Sequence, residues 1–274
     1  MLSAPSVVGS VVSLWRYPVK SMMGEELNAT NIAEQGLLGD RAYALVDSAT
    51  GKIVSAKNPR RWPKLFDFRA ALVEPPGTGT QIPPVQITLP DGTPIRSEAE
   101  DTNQVLSNVL GREVKLETAA PAQPSLEEYW PDMEGLPNRE TVTDESTLAS
   151  TFFDLATVHV LTTATIDRLQ ELSPSGRFET RRFRPNIVIS PTAGEKEFVE
   201  NEWIGHTLAI GEEVRLSITG PCPRCVMTTL PQGDLPNDPS ILRTAVQHNQ
   251  GHVGIYASVL RGGTIRRGDS VRVE

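Results

Sequence analysis

Cysteine is scarce in this chain: 274 residues contain two, three positions apart. That scarcity excludes a disulfide framework and leaves too few thiols for an internal iron–sulfur cluster, and no c-type haem signature follows the pair. Long apolar runs are missing as well. Nowhere do eighteen apolar residues follow one another, and Met1-Leu2-Ser3-Ala4-Pro5 carries no cationic stretch, so no membrane span or signal peptide is expected. A reducing, cytoplasmic setting fits. Basic excess is also lacking. Lys+Arg 26 against Asp+Glu 34 gives a net charge of −8, which argues against nucleic-acid binding through a basic surface and requires any anionic cofactor to find a local basic pocket. Neither Gly-rich phosphate-binding fingerprint occurs, no Ser/His/Asp signature is recognisable, and there is no internal repeat.

What remains is an ordinary folded composition, 38% hydrophobic and 22% charged, in a chain too long for one comfortable core. Two lobes are expected, and the patterning is mostly β. Strand-like runs cover Val7 to Tyr17, Arg41 to Asp47, Asn186 to Ile189, Leu208 to Ile210, Val214 to Ile218 and Val253 to Val259. Val85 to Leu89 alternates and then turns at Pro90-Asp91-Gly92-Thr93, a hairpin signal. Helical spacing marks Thr102 to Leu110, stopped by Gly111, and Thr163 to Leu172. Between Ala119 and Thr143 the sequence is rich in proline and acids without a sustained period, as in a linker or lid.

Both cysteines sit in Gly220-Pro221-Cys222-Pro223-Arg224-Cys225-Val226-Met227-Thr228-Thr229. A redox pair, half a zinc site, a single soft-metal ligand with a bystander, and two small core residues are all consistent with that spacing. Arg224 places a fixed charge beside both sulfurs, which lowers thiol pKa, and the prolines stiffen the loop. His248 and His252 stand four apart, but Gly251 argues against a helix running through both. Basic residues cluster as Arg16 with Lys20, Lys57 with Arg60, Arg61 and Lys64, and Arg177 with Arg181, Arg182 and Arg184. Most charges of this kind are solvated surface.

Five segments taken in order resemble one family. They are Trp15-Arg16-Tyr17-Pro18-Val19-Lys20-Ser21, Gly36-Leu37-Leu38-Gly39-Asp40-Arg41, Phe183-Arg184-Pro185-Asn186-Ile187-Val188-Ile189, the cysteine loop, and Gly263-Thr264-Ile265-Arg266-Arg267-Gly268-Asp269. The pattern is similar to the MOSC family with its N-terminal β-barrel domain, in its amidoxime-reducing and molybdenum-cofactor-sulfurase branches. It spans nearly the whole chain. The resemblance implies a mixed α/β (α+β), β-rich protein, with an N-terminal β-barrel-like domain over residues 1–120, a Pro/acid-rich linker over 121–144 and a MOSC β-barrel domain with a few helices over 145–274.

The resemblance also implies a molybdenum–molybdopterin cofactor, with Cys225 as both metal ligand and catalytic residue. Lys20, Ser21, Arg41, Arg184 and Asn186 match positions that hold the cofactor, and Arg224 of the ligand loop, Thr162 and Thr163, which match a hydroxyl-bearing pair, and Tyr256, which matches a tyrosine near the site, are implied as further cofactor-binding residues. Cations and hydroxyl donors suit an anionic pterin phosphate. The implied activity is reduction of small N-hydroxylated compounds, with electrons from a separate ferredoxin-like or haem carrier and its reductase. The alternative is a cofactor carrier or sulfur-transfer module bearing a persulfide on Cys225 or Cys222. A plain dithiol or shared zinc site would leave the basic positions of both halves idle. The family also carries a pyridoxal phosphate label, to which no residue is assigned. Neither nucleic acid nor membrane is an expected partner.

Overall fold

A computed structural model describes residues 6–192 and 197–274. Its larger lobe is a closed barrel of seven strands. In spatial order these are Ile187–Pro191, Val158–Thr162, His252–Arg261, Val214–Pro223, Thr207–Ile210, Ser270–Val273 and Ser6–Arg16, and the last pairs back onto the first. Closure leaves no free edge in this sheet, although Glu25–Leu27 adds a short strand against the end of Ser6–Arg16. The pairing of Val158–Thr162 with Ile187–Pro191 is the parallel one. Parallel neighbours need a crossover, which the helix Thr163–Leu172 supplies. Inward residues such as Leu14, Val160, Ile187, Leu208, Leu216 and Ile255 fill the interior.

Residues 6–16, which the sequence assigns to the N-terminal lobe, are therefore a staple of the C-terminal barrel. Period and β-branching identify the strand, but they do not say which sheet recruits it. The smaller lobe follows it in the chain. Ala44–Asp47 pairs with Val114–Glu117, Arg69–Leu72 with Val85–Thr88, and Val85–Thr88 in turn with Pro94–Arg96; single bridges at Val19↔Tyr43 and Met23↔Arg69 stitch the short strands around Val19, Leu45, Phe68, Ile87 and Leu106. This is the barrel-like N-terminal domain. Thr102–Leu110 is helical as its spacing predicts, and Gly111 ends it in the left-handed region at φ 68°. The strand predicted from Arg41 begins instead at Ala44, because Arg41 itself turns the chain at φ 47°.

The proline- and acid-rich segment is not without regular structure. Ser125–Trp130 and Thr141–Ser146 form an antiparallel hairpin, docked on the N-terminal lobe by the Ile53↔Leu126 bridge. Alternation is present, since Leu126 and Glu128 are buried while Glu127 and Tyr129 are half-buried. A carboxylate at an inward position hides that alternation from a reading of hydrophobicity alone. Among the described residues no helix is long and apolar enough to cross a membrane.

Candidate functional site

Where the two lobes and the hairpin meet, they enclose a cavity of about 420 Å³. Lys20, Ser21, Arg41, Arg184, Asn186, Arg224, Cys225 and Tyr256 all line it, so eight of the ten predicted positions converge although they are spread over more than 230 residues of sequence. Thr162 and Thr163 do not line it. The Thr162 hydroxyl caps the helix Thr163–Leu172 by accepting from the Thr165 N–H at 3.2 Å, and it donates to Glu200 at 2.6 Å. The Thr162 hydroxyl thus serves the helix start and a buried carboxyl.

Cys225 begins the short turn Val226–Thr229 at the end of the barrel strand Val214–Pro223. Arg182 fixes this turn. Wholly buried, its guanidinium donates to the carbonyls of Thr228, Leu230, Pro236 and Arg177 at 2.9 to 3.2 Å. In the sequence Arg182 belongs to a basic cluster of the kind that is mostly solvated surface, and nothing local shows that four carbonyls converge on it.

The two thiols differ, and not in the way their shared neighbour Arg224 suggests. Arg224 Nη1 donates to Cys222 Sγ at 2.8 Å. Burial pushes the Cys222 thiol up, but Arg224 and His159 outweigh it and bring the group down to about 6. Cys225 behaves oppositely. Burial, reinforced by the Glu128 carboxylate, pushes it up to about 12 against Lys57, the Met227 N–H and Arg224. Cys222 points its charge into protein, while Cys225 is the thiol at the cavity wall.

The cations fall into two groups. Lys20 donates to the Phe152 carbonyl at 2.6 Å and to Asp154; Lys57 reaches Glu128 at 3.1 Å and Asp154 at 3.3 Å. Burial lowers the Lys20 pKa, Asp154 partly restoring it, and the paired lysines hold Asp154 well below the usual carboxylate range despite its own burial. The second group surrounds Tyr17. Arg41 lies 4.6 Å and Arg184 4.1 Å from its ring centroid. Arg41 is paired with Asp40, but Arg184 donates only to the Met22 carbonyl at 2.7 Å and has no carboxylate partner among the described residues. Burial, with repulsion from Arg41, lowers its pKa to about 10.

The remaining predicted positions have local partners. Ser21, at φ 63°, accepts from the Ala56 N–H at 3.1 Å. Asn186 donates to Asp40 at 2.9 Å and accepts from the His159 N–H at 3.1 Å, tying the barrel to the Arg41 turn. Tyr256 faces His159 edge-on at 6.0 Å, and burial together with Cys222 raises its pKa. His248 ends the helix Ser240–Asn249 whereas His252 opens a strand, so the pair shares no helical face.

Lys57, Glu128 and Asp154 escaped the sequence reading as site residues, and their pairing makes a direct test. Asp154→Asn leaves two lysines without their shared partner and should lower stability by about 2 kcal/mol at neutral pH. The sign with pH follows. A depressed folded pKa means stability is present above the unfolded value near 3.9 and is lost as pH falls toward the folded one, so the variant should show a shallower acid-side loss below about pH 4. Thermal melts from pH 3 to 7 check both.

Residues 8–122 match the MOSC N-terminal beta barrel domain and residues 148–272 the MOSC domain. The chain is 25% identical over 299 residues to mitochondrial amidoxime reducing component 2 of Rattus norvegicus, covering 96% of this chain and 83% of that protein. It is 25% identical over 292 residues to the Homo sapiens protein of the same name, with the same coverage. Among solved structures, the YUAD protein from Bacillus subtilis superposes with a TM-score of 0.49 at 12% identity over 98% of each chain. With both family domains in order along the chain, meeting at the cavity that holds Cys225, this protein belongs to the MOSC family.

Proposed function

We propose that the cavity binds a molybdenum–molybdopterin cofactor with Cys225 as the protein ligand, and that the protein reduces small N-hydroxylated compounds using electrons from a separate carrier. One observation carries this reading: the cavity is lined both by a thiol and by the buried guanidinium of Arg184, which has no carboxylate partner among the described residues. Leaving such a charge unpaired is costly, so a phosphate-bearing ligand suits it. Lys20 is less available than its position in the sequence suggests, because Asp154 and the Phe152 carbonyl already hold it.

A bound cofactor of this kind supplies two-electron oxygen-transfer chemistry at the metal. The chain's own residues do the rest. Cys225 offers one soft sulfur from a turn fixed by Arg182; burial and Glu128 keep it a thiol without a metal, so binding of a cationic metal would have to draw off its proton. Tyr17, held between two guanidiniums, spaces the cations that would receive a phosphate. Glu128 and Trp130, which line the same cavity, would wall the substrate.

Converting an N-hydroxyl to N–H and water consumes two electrons and two protons. With two cysteines and no nucleotide fingerprint, the chain has no evident means of collecting electrons from NAD(P)H. The cofactor-loaded protein should therefore reduce an amidoxime with a strong artificial reductant, and with NADH only after a ferredoxin-like or haem carrier and its reductase are added. Omitting each component in turn is the assay. Sustained NADH turnover by the chain alone would defeat the multi-component reading, and silence with the artificial reductant would shift weight to a carrier or persulfide role.

A further inference from the structure

Along Ser125–Trp130 the side chains of Leu126, Glu128 and Trp130 share one face, and all three line the cavity. Two-residue steps advance a strand by about 6.6 Å, so these form a ladder from interior to mouth. Leu126 is fully buried, Glu128 sits in the lysine pair beside Cys225, and Trp130, only half-buried, stands one step beyond. The wall is thus graded, ionic near the thiol and aromatic at the opening.

Other apolar groups line the same cavity. Leu155 follows Asp154 directly, lines the cavity, and is 57% exposed, so its side chain is open to a ligand there. Leu136 and Pro137 come from the hairpin tip. That tip is pinned: Gly135, at φ 89°, approaches Val246 of the helix Ser240–Asn249 so closely that an added Cβ would lie 2.6 Å from it. The indole is also fixed, its N–H donating to the Thr143 hydroxyl at 2.7 Å, so its polar edge is satisfied on the hairpin and its faces ask only for apolar contact.

We infer that Trp130, Leu136 and Leu155 form a subsite for the apolar body of the substrate, so that the protein prefers N-hydroxylated compounds bearing a flat or aryl group over small polar ones. This rests on the reading of the site given above and adds its specificity determinants. The N-hydroxyl reaches inward toward Cys225 and Glu128 while the aryl group lies against Trp130 and Leu155. The concavity of the site and its continuity with the thiol favour a small molecule over a protein surface as the occupant.

The test uses two amidoximes that differ only in carrying phenyl or methyl, together with the two corresponding amidines as unreactive probes. With the cofactor-loaded full chain, the phenyl compound should show a KM at least about tenfold below the methyl compound. Calorimetry should find the phenyl amidine binding more tightly by a similar factor. Trp130→Ala and Leu155→Ser should each reduce that discrimination severalfold, and Trp130→Phe should retain most of it. Gly135→Ala, which pushes the tip off Val246, should weaken phenyl discrimination without touching an apolar contact directly.

Equal KM and equal amidine affinity for phenyl and methyl in the natural sequence would overturn the subsite. So would variants that change only the KM for the electron carrier, the behaviour of a protein-docking face. Phenyl-amidine binding that depends on Trp130 but is accompanied by no turnover of either amidoxime would uphold the subsite and instead count against the reductase reading.

Discussion

Cys225→Ala should abolish molybdenum binding, while Cys222→Ala should leave most of it. Only Cys225 stands at the cavity wall; Cys222 is fully buried behind it, its sulfur facing Arg224. A thiolate ligand in a soft site has no substitute in alanine, so the first loss should be essentially complete, including the activity that depends on the metal. Removing Cys222 instead strips Arg224 of its sulfur acceptor, and the expected cost is to stability, about 1 to 3 kcal/mol for a buried charged donor left short of a partner. Metal analysis of both variants beside their melting curves separates the two effects. Equal metal loss with unchanged stability would point to a dithiol or zinc pair.

Arg184 should show the opposite balance between stability and function. A buried guanidinium with no carboxylate partner among the described residues, its pKa pulled down to about 10, is unfavourable for the cofactor-free fold. Replacing it by leucine removes that burden at the expense of one hydrogen bond to the Met22 carbonyl and its contact with the Tyr17 ring. The cofactor-free variant should therefore melt no lower than the natural protein, within about 1 kcal/mol. Cofactor retention, in contrast, should weaken by about 1.5 to 3 kcal/mol, the range for hydrogen bonds to a charged group, or roughly ten- to more than hundredfold. Lys20→Ala should behave differently, destabilising the fold because it deprives Asp154 of a partner. A strongly destabilised Arg184→Leu with normal pterin content would make Arg184 a structural residue.

Much of this was legible in the sequence, and the rest failed for identifiable reasons. Helices at Thr102–Leu110 and Thr163–Leu172 declare themselves through spacing, and most strand segments through β-branched runs. The barrel's closure by residues 6–16 was not legible, because sheet partnership is a long-range choice. The hairpin was obscured by Glu128 facing inward, and that same burial is what brings Glu128 to Lys57 and the thiol. The eight positions to which the family motifs point line one cavity, whereas Thr162 and Thr163 lie outside it, the Thr162 hydroxyl capping a helix. Local charge counting also misread the thiols. Arg224 is adjacent in sequence to Cys225 but directs its Nη1 at Cys222, so the lower pKa belongs to the thiol that does not face the cavity.

The metal and pterin content of the protein purified from cells that make the molybdenum cofactor decides whether Cys225 holds molybdenum in this cavity. Molybdenum and pterin should be present in equal amounts, approaching one of each per chain, and both should be lost in Cys225→Ala. Protein that carries neither, or that carries zinc at a level dependent on both cysteines, would contradict molybdenum ligation by Cys225.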